Sequence, residues 1–432
     1  MYRVLPLRVA LFQASAAVRI RLAALVAVLA LATGAGAPAA SASEAGLASA
    51  LGSAMAPAGA WSGAYVVNAD TGRPAFRWRH GAARILASNT KLFTTAAALA
   101  RFGTEGTLAT EVRGAGEVDD AGVWRGDLYL VGGGDPTFGT RSFAQRAYGA
   151  PGASVEALAQ QLEQAGIERV AGRVYGDESR FDALRGGPES GYLTSIWVGP
   201  LSALAFNRGL ANESGTSFQA TPPAFAAGRL TDALRRRGIP VRDRPIAGAA
   251  PGGAETLAAV ESPPMRRLIA LTNKPSDNYL AEMLLKDLAL QAGGRGTTAA
   301  GARIAAGFAR RIGGRPARLA DGSGLSRANL ASPYRIVRLL LALRERDDFP
   351  AFLRSLSVAG RDGTLAPRMR SGPARGNCRG KTGTLSNVSA VSGYCRARSG
   401  DTYVFSIVMN AIDPYGARNL QDRMLQALAG VR

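Results

Sequence analysis

Ala87-Ser-Asn-Thr-Lys-Leu-Phe-Thr-Thr-Ala-Ala-Ala-Leu99 is the stretch whose reading decides the fold. From Thr90 onward it is apolar on every face, which predicts a helix buried at the centre of its domain. Ser88 and Lys91 stand three apart, so on a helix they share one face about a turn from each other. A serine at the helix start also lies in the favourable field of the N-terminus, which helps a developing oxyanion. A hydroxyl is a poor nucleophile until a base takes its proton, and a neutral lysine can do that. Taken alone, the pair also fits a capping serine beside an ordinary surface lysine.

Lysine usage sharpens the reading. Of the 52 basic side chains only Lys91, Lys274, Lys286 and Lys381 are lysines; the rest are arginines. Arginine supplies surface charge but keeps its proton, whereas a desolvated lysine can become a neutral amine. Lys381 opens Lys381-Thr-Gly383, on a predicted strand where Gly383 would let a substrate backbone approach closely. Lys274 lies just before Ser276-Asp-Asn278, in a loop between two predicted helices. Helix capping accounts for Ser-Asp-Asn when it is read alone.

The segments Gly63–Asn68 and Pro74–Arg79 flank Asp70-Thr-Gly72 and read as a hairpin. Between about Phe102 and Ala220 the pattern changes to Gly-rich turns separating short alternating runs, with an amphipathic helix expected over Val155–Ala165. The cluster Gly132-Gly-Gly-Asp-Pro136 lacks the ending of a phosphate loop and reads as a tight turn. Helical periodicity returns at Ala224–Arg237 and recurs to Arg344; three strands and a helix over Asn419–Leu428 close the chain. Strands at both ends with helices between them predict one antiparallel sheet flanked by helices, an α/β (α+β) fold. The expected division is a signal peptide over 1–42, a catalytic domain over 43–104 and 222–432, and an inserted mixed α/β domain over 105–221.

The first 42 residues combine Arg3, Arg8, Arg19 and Arg21 with an apolar run, Leu22–Ala32, and a small-residue end, Ala40-Ser-Ala42. That is the layout of a secretory signal, and the apolar run is too short for a membrane span of roughly 20 residues. An exported, periplasmic protein is expected. The net charge of +20 at neutral pH favours anionic surfaces, so peripheral association with membrane or wall is one reading and a general compositional bias toward arginine the other. No basic run is interleaved with aromatics, so no nucleic-acid partner is expected. Cys378 and Cys395 lie symmetrically about a turn near Leu385–Asn387. They either face each other as a disulfide or stay buried thiols.

Ser-x-x-Lys opening a buried helix, Ser-Asp-Asn before another helix and Lys-Thr-Gly on a late strand together resemble the penicillin-binding protein and serine β-lactamase superfamily. The flanks Thr272–Asn278, Asp321-Gly-Ser-Gly-Leu325, Gly363-Thr-Leu365 and Gly134-Asp-Pro-Thr137 are similar to those of the class C low-molecular-mass penicillin-binding proteins, which are D-alanyl-D-alanine carboxypeptidases and endopeptidases. The similarity runs from about Ser53 to the C-terminus, with a shortening expected near Asn212–Thr221. It implies a DD-peptidase/β-lactamase-like fold, peptidoglycan as substrate, β-lactams as covalent inhibitors, and no cofactor or metal. It also implies Ser88 as nucleophile and Lys91 as its base, lowered by burial and by the nearby cation Lys381. Ser276 would relay a proton, Asn278 would hold Lys91 and the substrate amide, and Lys381, Thr382 and Thr384 would bind the terminal carboxylate. The amides of Ser88 and Thr384 would form the oxyanion hole.

Other chemistries fit less well. A Ser-His-Asp hydrolase would need His80, the only histidine, whose neighbours are those of a turn. One histidine and two cysteines serve zinc poorly. A class A β-lactamase activates its deacylating water with a glutamate downstream of Ser-Asp-Asn, and none stands between Glu282 and Glu345; class C β-lactamases carry Tyr where this chain has Ser276. Penicillin is therefore expected to acylate Ser88 and remain. A non-catalytic wall-binding protein on a dead version of the fold would have lost Ser88, Lys91 or Lys381.

Overall fold

Val388-Ser-Ala-Val-Ser-Gly-Tyr-Cys-Arg396 is buried along almost its whole length in the computed structural model, because it lies inside a sheet covered on both faces. The structure describes residues 44–150, 152–212 and 214–432; the expected signal peptide lies outside them. The chain begins with α1 (Glu44–Met55), β1 (Ser62–Asn68), β2 (Pro74–Trp78), β3 (Arg84–Ile85) and α2 (Thr90–Phe102). It continues through β4 (Ala109–Ala115), β5 (Val123–Trp124), β6 (Asp127–Val131), α3 (Arg141–Tyr148), α4 (Val155–Gln164), β7 (Arg169–Val170), β8 (Val174–Asp177), α5 (Pro222–Arg236), β9 (Ile246–Ala247) and β10 (Glu255–Glu261). Helices α6 (Met265–Asn273), α7 (Asn278–Gln291) and α8 (Thr298–Arg311) follow, then β11 (Leu330–Ala331), α9 (Pro333–Arg344) and α10 (Phe349–Ser355). The chain closes with β12 (Ser357–Val358), β13 (Cys378–Leu385), β14 (Val388–Arg396), β15 (Thr402–Asn410) and α11 (Pro414–Gly430).

The six-stranded sheet has the order β12-β13-β14-β15-β1-β2, so the two ends of the chain meet where β1 pairs antiparallel with β15. Alternation along the strands sends Tyr65, Val67, Ala390, Tyr394, Val404 and Val408 into one core with α2, α6, α8 and α9. Ala64, Val66, Val391, Phe405 and Ile407 point the other way, into a core with α1 and α11. Helix α2 is buried from Thr90 through Leu99, which places it against the sheet as its all-apolar sequence requires.

A second, mixed sheet has the order β10-β4-β6-β8-β9, with β6, β8 and β9 parallel. Its core joins Val112, Leu128, Leu130 and Val174 to Leu158 and Leu162 of α4, to Leu230 and Leu234 of α5, and to Ala258 and Val260 of β10. Helix α5 and strand β10, which the expected division places with the catalytic domain, thus bury their apolar residues against this second sheet. Periodicity located the helix at 222–236 but could not say which sheet buries its apolar stripe. A further cluster, Phe181, Val198, Leu201 and Ala203 with Tyr279, Leu280 and Met283, packs the inserted lobe onto α7.

Cys378 and Cys395 face each other in the β13–β14 ladder and are joined as a disulfide. Among the described residues no helix is long and apolar enough to cross a membrane. His80 stacks on Tyr65, with ring centroids 5.0 Å apart.

Candidate active site

Three elements meet at one cleft: the turn preceding α2, the start of α7, and the outer edge of β13. A short 3₁₀ turn, Ala87–Asn89, leads into α2 and carries Ser88. Ala87 adopts the left-handed conformation (φ 46°), which turns the chain sharply into the helix. Two glycines let other backbone pack on this turn. A Cβ on Gly324 would lie 1.9 Å from the Ala87 carbonyl, and one on Gly383 would lie 2.9 Å from both the Leu86 carbonyl and the Ser88 amide. Gly383 thus admits the backbone of the turn that carries Ser88. Asn89 Nδ2 donates to the Lys381 carbonyl at 3.1 Å and ties the turn to β13.

Lys91 is fully buried, and its Nζ has three partners: Ser88 Oγ at 3.0 Å, Asn278 Oδ1 at 2.7 Å and the Ser323 carbonyl at 2.6 Å. The amide oxygen and the carbonyl can only accept, so they take two N–H bonds. A neutral amine then has its lone pair facing Ser88, the only one of the three able to donate a proton. Asn278 is held in turn by its Nδ2, which donates to the Trp197 carbonyl of the inserted lobe at 3.2 Å.

Ser276 and Asn278 reach the cleft because Asp277, between them, takes the structural work. Its Oδ1 caps α7 by accepting from the Leu280 amide at 2.9 Å, and its Oδ2 pairs with Arg208 of the inserted lobe at 2.6 Å. Ser276 sits at φ 64° and accepts from Lys381 Nζ at 2.8 Å. Lys381 also donates to the Thr382 carbonyl at 2.8 Å and is fully buried behind the cleft surface. Strand β12 pairs only Arg379 and Gly380, so the backbone from Lys381 to Leu385 has no strand partner on its outer side.

Burial pulls both amines down. For Lys91 the neighbouring carboxyls of Asp321, Asp277 and Glu282 pull the other way, and it comes to rest at about 8. Lys381 falls well below the usual lysine range through burial and then the charge of Lys91. The charged neighbours of Lys91 that act on it are these carboxyls, which raise it, while the expected lysine–lysine repulsion is felt at Lys381. A substrate carboxylate would supply Lys381 with the counter-charge it lacks.

The structure brings Ser88, Lys91, Ser276, Asn278, Lys381, Thr382, Gly383 and Thr384 together around a cleft of about 750 Å³, with Ser88 and the three residues after Lys381 on its lining. Sequence reasoning missed the buried supports. Glu282 Oε1 accepts from the Gly322 and Ser323 amides at 3.1 and 2.8 Å, and Asp321 accepts from Gly324 and Ser326, which fixes the loop whose Ser323 carbonyl meets Lys91. The signal available was Glu282 one helical turn beyond Asn278, on the same face of α7. Glu282 does not line the cleft, so it offers no base to a water there. Trp197 and Arg418, which do line it, carried no motif at all.

A serine held against a buried lysine, at the free edge of an antiparallel sheet packed on helices, defines the class of serine hydrolases that work without histidine. This chain belongs to the D-Ala-D-Ala carboxypeptidase 3 (S13) family, whose model matches residues 45–221 and 211–431. It is 30% identical to the D-alanyl-D-alanine carboxypeptidase of Actinomadura sp. (strain R39), over 86% of this chain and 81% of that protein. A carboxypeptidase of Mycobacterium tuberculosis is 28% identical over 84% of this chain and 79% of its own length. Among solved structures, penicillin binding protein 4 (dacB) from Haemophilus influenzae superposes with a TM-score of 0.74 at 20% identity, covering 88% of this chain and 99% of that one. A predatory peptidoglycan endopeptidase from Bdellovibrio bacteriovorus shares the fold more distantly, with a TM-score of 0.52 at 18% identity, covering 82% and 87%.

Proposed function

We propose that the protein is a serine-type D-Ala-D-Ala carboxypeptidase, with DD-endopeptidase activity, that cleaves peptidoglycan stem peptides and crosslinks through an acyl-enzyme on Ser88. The observation that carries this reading is the trio of partners on Lys91, which aims the lone pair of its neutral form at Ser88 Oγ. Lys91 takes the hydroxyl proton as Ser88 attacks the carbonyl between the two D-residues. The Ser88 and Thr384 amides receive the oxyanion. Ser276, hydrogen-bonded to Lys381, passes a proton to the departing amine, and Asn278 positions Lys91 and the substrate amide. The unpaired edge of β13 accepts the peptide in extended form, with Thr382 and Thr384 near its carboxylate. Water then hydrolyses the ester. The reaction is the same whether the leaving amine belongs to a terminal D-alanine or to a crosslinked neighbour. β-Lactams acylate Ser88 by the same route. The N-terminal sequence supports export to the periplasm, and the positive net charge supports loose association with wall or membrane.

The test is mass spectrometry of the protein incubated with penicillin and, separately, of the products from a stem peptide. One stable adduct on Ser88 and release of D-alanine are expected, and Ser88→Ala should abolish both. D-alanine release by Ser88→Ala would remove Ser88 as nucleophile, and rapid multiple turnover of penicillin would favour a β-lactamase instead.

A further inference from the structure

The substrate class proposed above carries a carboxylate on the carbon bearing the leaving amine, and the cleft surface shows which cation meets it. Lys91 and Lys381 are buried behind the cleft and do not line it. Of the residues that do, only Asp413 and Arg418 are charged. Asp413 is occupied as the cap of α11, accepting from the Gly416 amide at 2.6 Å. Arg418, one turn into that helix, reaches back to β13, where its Nη2 donates to Thr384 Oγ1 at 3.2 Å. Its guanidinium lies over the Tyr415 ring at 5.1 Å, and no carboxylate among the described residues pairs with it. Its other N–H groups are thus left for a ligand, on a planar fork that matches a carboxylate.

We infer that Arg418 is the specificity residue that recognises the substrate's free carboxylate, with Thr384 between it and the reacting carbonyl. This rests on the proposed peptidase function and adds to it a residue outside all three motifs. A guanidinium keeps its charge at any working pH and Arg418 lies on the cleft lining, whereas Lys381 is buried behind that lining and its pKa is lowered by the burial. The fixed cation at the surface draws the anion in.

The experiment uses the full mature protein and two acyl-D-alanyl thioesters that differ only in the leaving thiol, which bears a carboxylate in one and a carboxamide in the other. Wild type should prefer the carboxylate in kcat/KM by about 10- to 100-fold, the range for a charge-assisted contact. In Arg418→Gln this preference should shrink by about tenfold, mainly through the carboxylate substrate and mainly in KM, and Arg418→Lys should recover part of it. An unchanged preference in Arg418→Gln, or an equal loss on both thioesters, would overturn the inference by leaving Arg418 idle or merely structural. A wild-type protein that forms no acyl-enzyme with either thioester would overturn the peptidase function itself, and the inference with it.

Discussion

In the proposed reaction Lys91 is the base that activates Ser88, and its surroundings make that role pH-dependent. Burial lowers its pKa to about 8 against the pull of three carboxyl groups, so the basic form is the minor one at neutral pH and the major one above about 8. The acylation kcat/KM, which reports the free enzyme, should therefore rise with pH through neutrality and level off above about 8. A pre-steady-state pH series checks this; a flat profile from pH 6 to 9 would count against Lys91 as base. Lys91→Arg should lose more than about 1000-fold in acylation, because a guanidinium keeps both its charge and its protons. Asn278 and the Ser323 carbonyl have no such freedom to titrate. Their task is to occupy the N–H bonds that would otherwise turn the lone pair away.

At the level of elements, β13 does two jobs along one strand. Its first half is locked: Cys378 is bonded to Cys395 of β14, and Arg379 and Gly380 pair with β12. Its second half, from Lys381 onward, is open on the cleft side. The disulfide closes a loop with a sequence separation of 17, across a ladder already paired from Cys378 to Leu385. Cross-linking a loop of this size stabilises by about 3 kcal/mol in the chain-entropy picture. Replacing both cysteines by alanine should lower the unfolding free energy by about that amount, measured by denaturant titration. Acylation of the variant by penicillin at 25 °C should persist, since the bridge lies on the face away from Ser88. Loss of acylation by a folded variant would mean that the bridge sets the open edge and does more than brace the strand.

Across the whole molecule, the junction of the two lobes carries buried acids with few partners. Asp287 of α7 has neither carboxyl oxygen hydrogen-bonded, and one of them fills the space a Cβ on Gly134 would need. Asp135, next to that glycine, has one oxygen bonded to Thr137 and the other unpartnered. Burial raises both, Asp135 to about 7 and Asp287 well above the usual range, the latter helped by Asp135. A group whose folded pKa is raised contributes stability below its unfolded value near 4, and that contribution is lost as pH climbs through the folded value. The fold should therefore weaken from about pH 4 through 7 and beyond. Asp287→Asn, isosteric and uncharged, should flatten this decline and stabilise the protein at pH 8 by about 1–3 kcal/mol, with little gain at pH 5. Urea titrations at the two pH values check it; an equal shift at both would show that the charge of Asp287 is not what costs stability. Lys286 offsets part of that charge from the next position while donating to Asp182 at 2.6 Å, which binds α7 to the inserted lobe.

By itself the sequence determined which side chains meet over a short range. Ser88 and Lys91 meet because three residues make nearly one helical turn, and Asp277 caps a helix because its side chain reaches the amide three residues on. Alternation along β13 sends Lys381 and Gly383 toward α2 and the turn that carries Ser88. Such relations are short-range, so spacing encodes them. Only the tertiary structure decided that Ser323 and Glu282 support Lys91, that Arg418 faces the cleft, and that residues 222–261 serve the second sheet. Periodicity reports that a face is buried, not against what. The different influences on the two lysines followed from the same cause. Lys91 feels carboxyl groups and Lys381 feels Lys91, all of them near in space, and Asp321 stands 230 residues along the chain from Lys91.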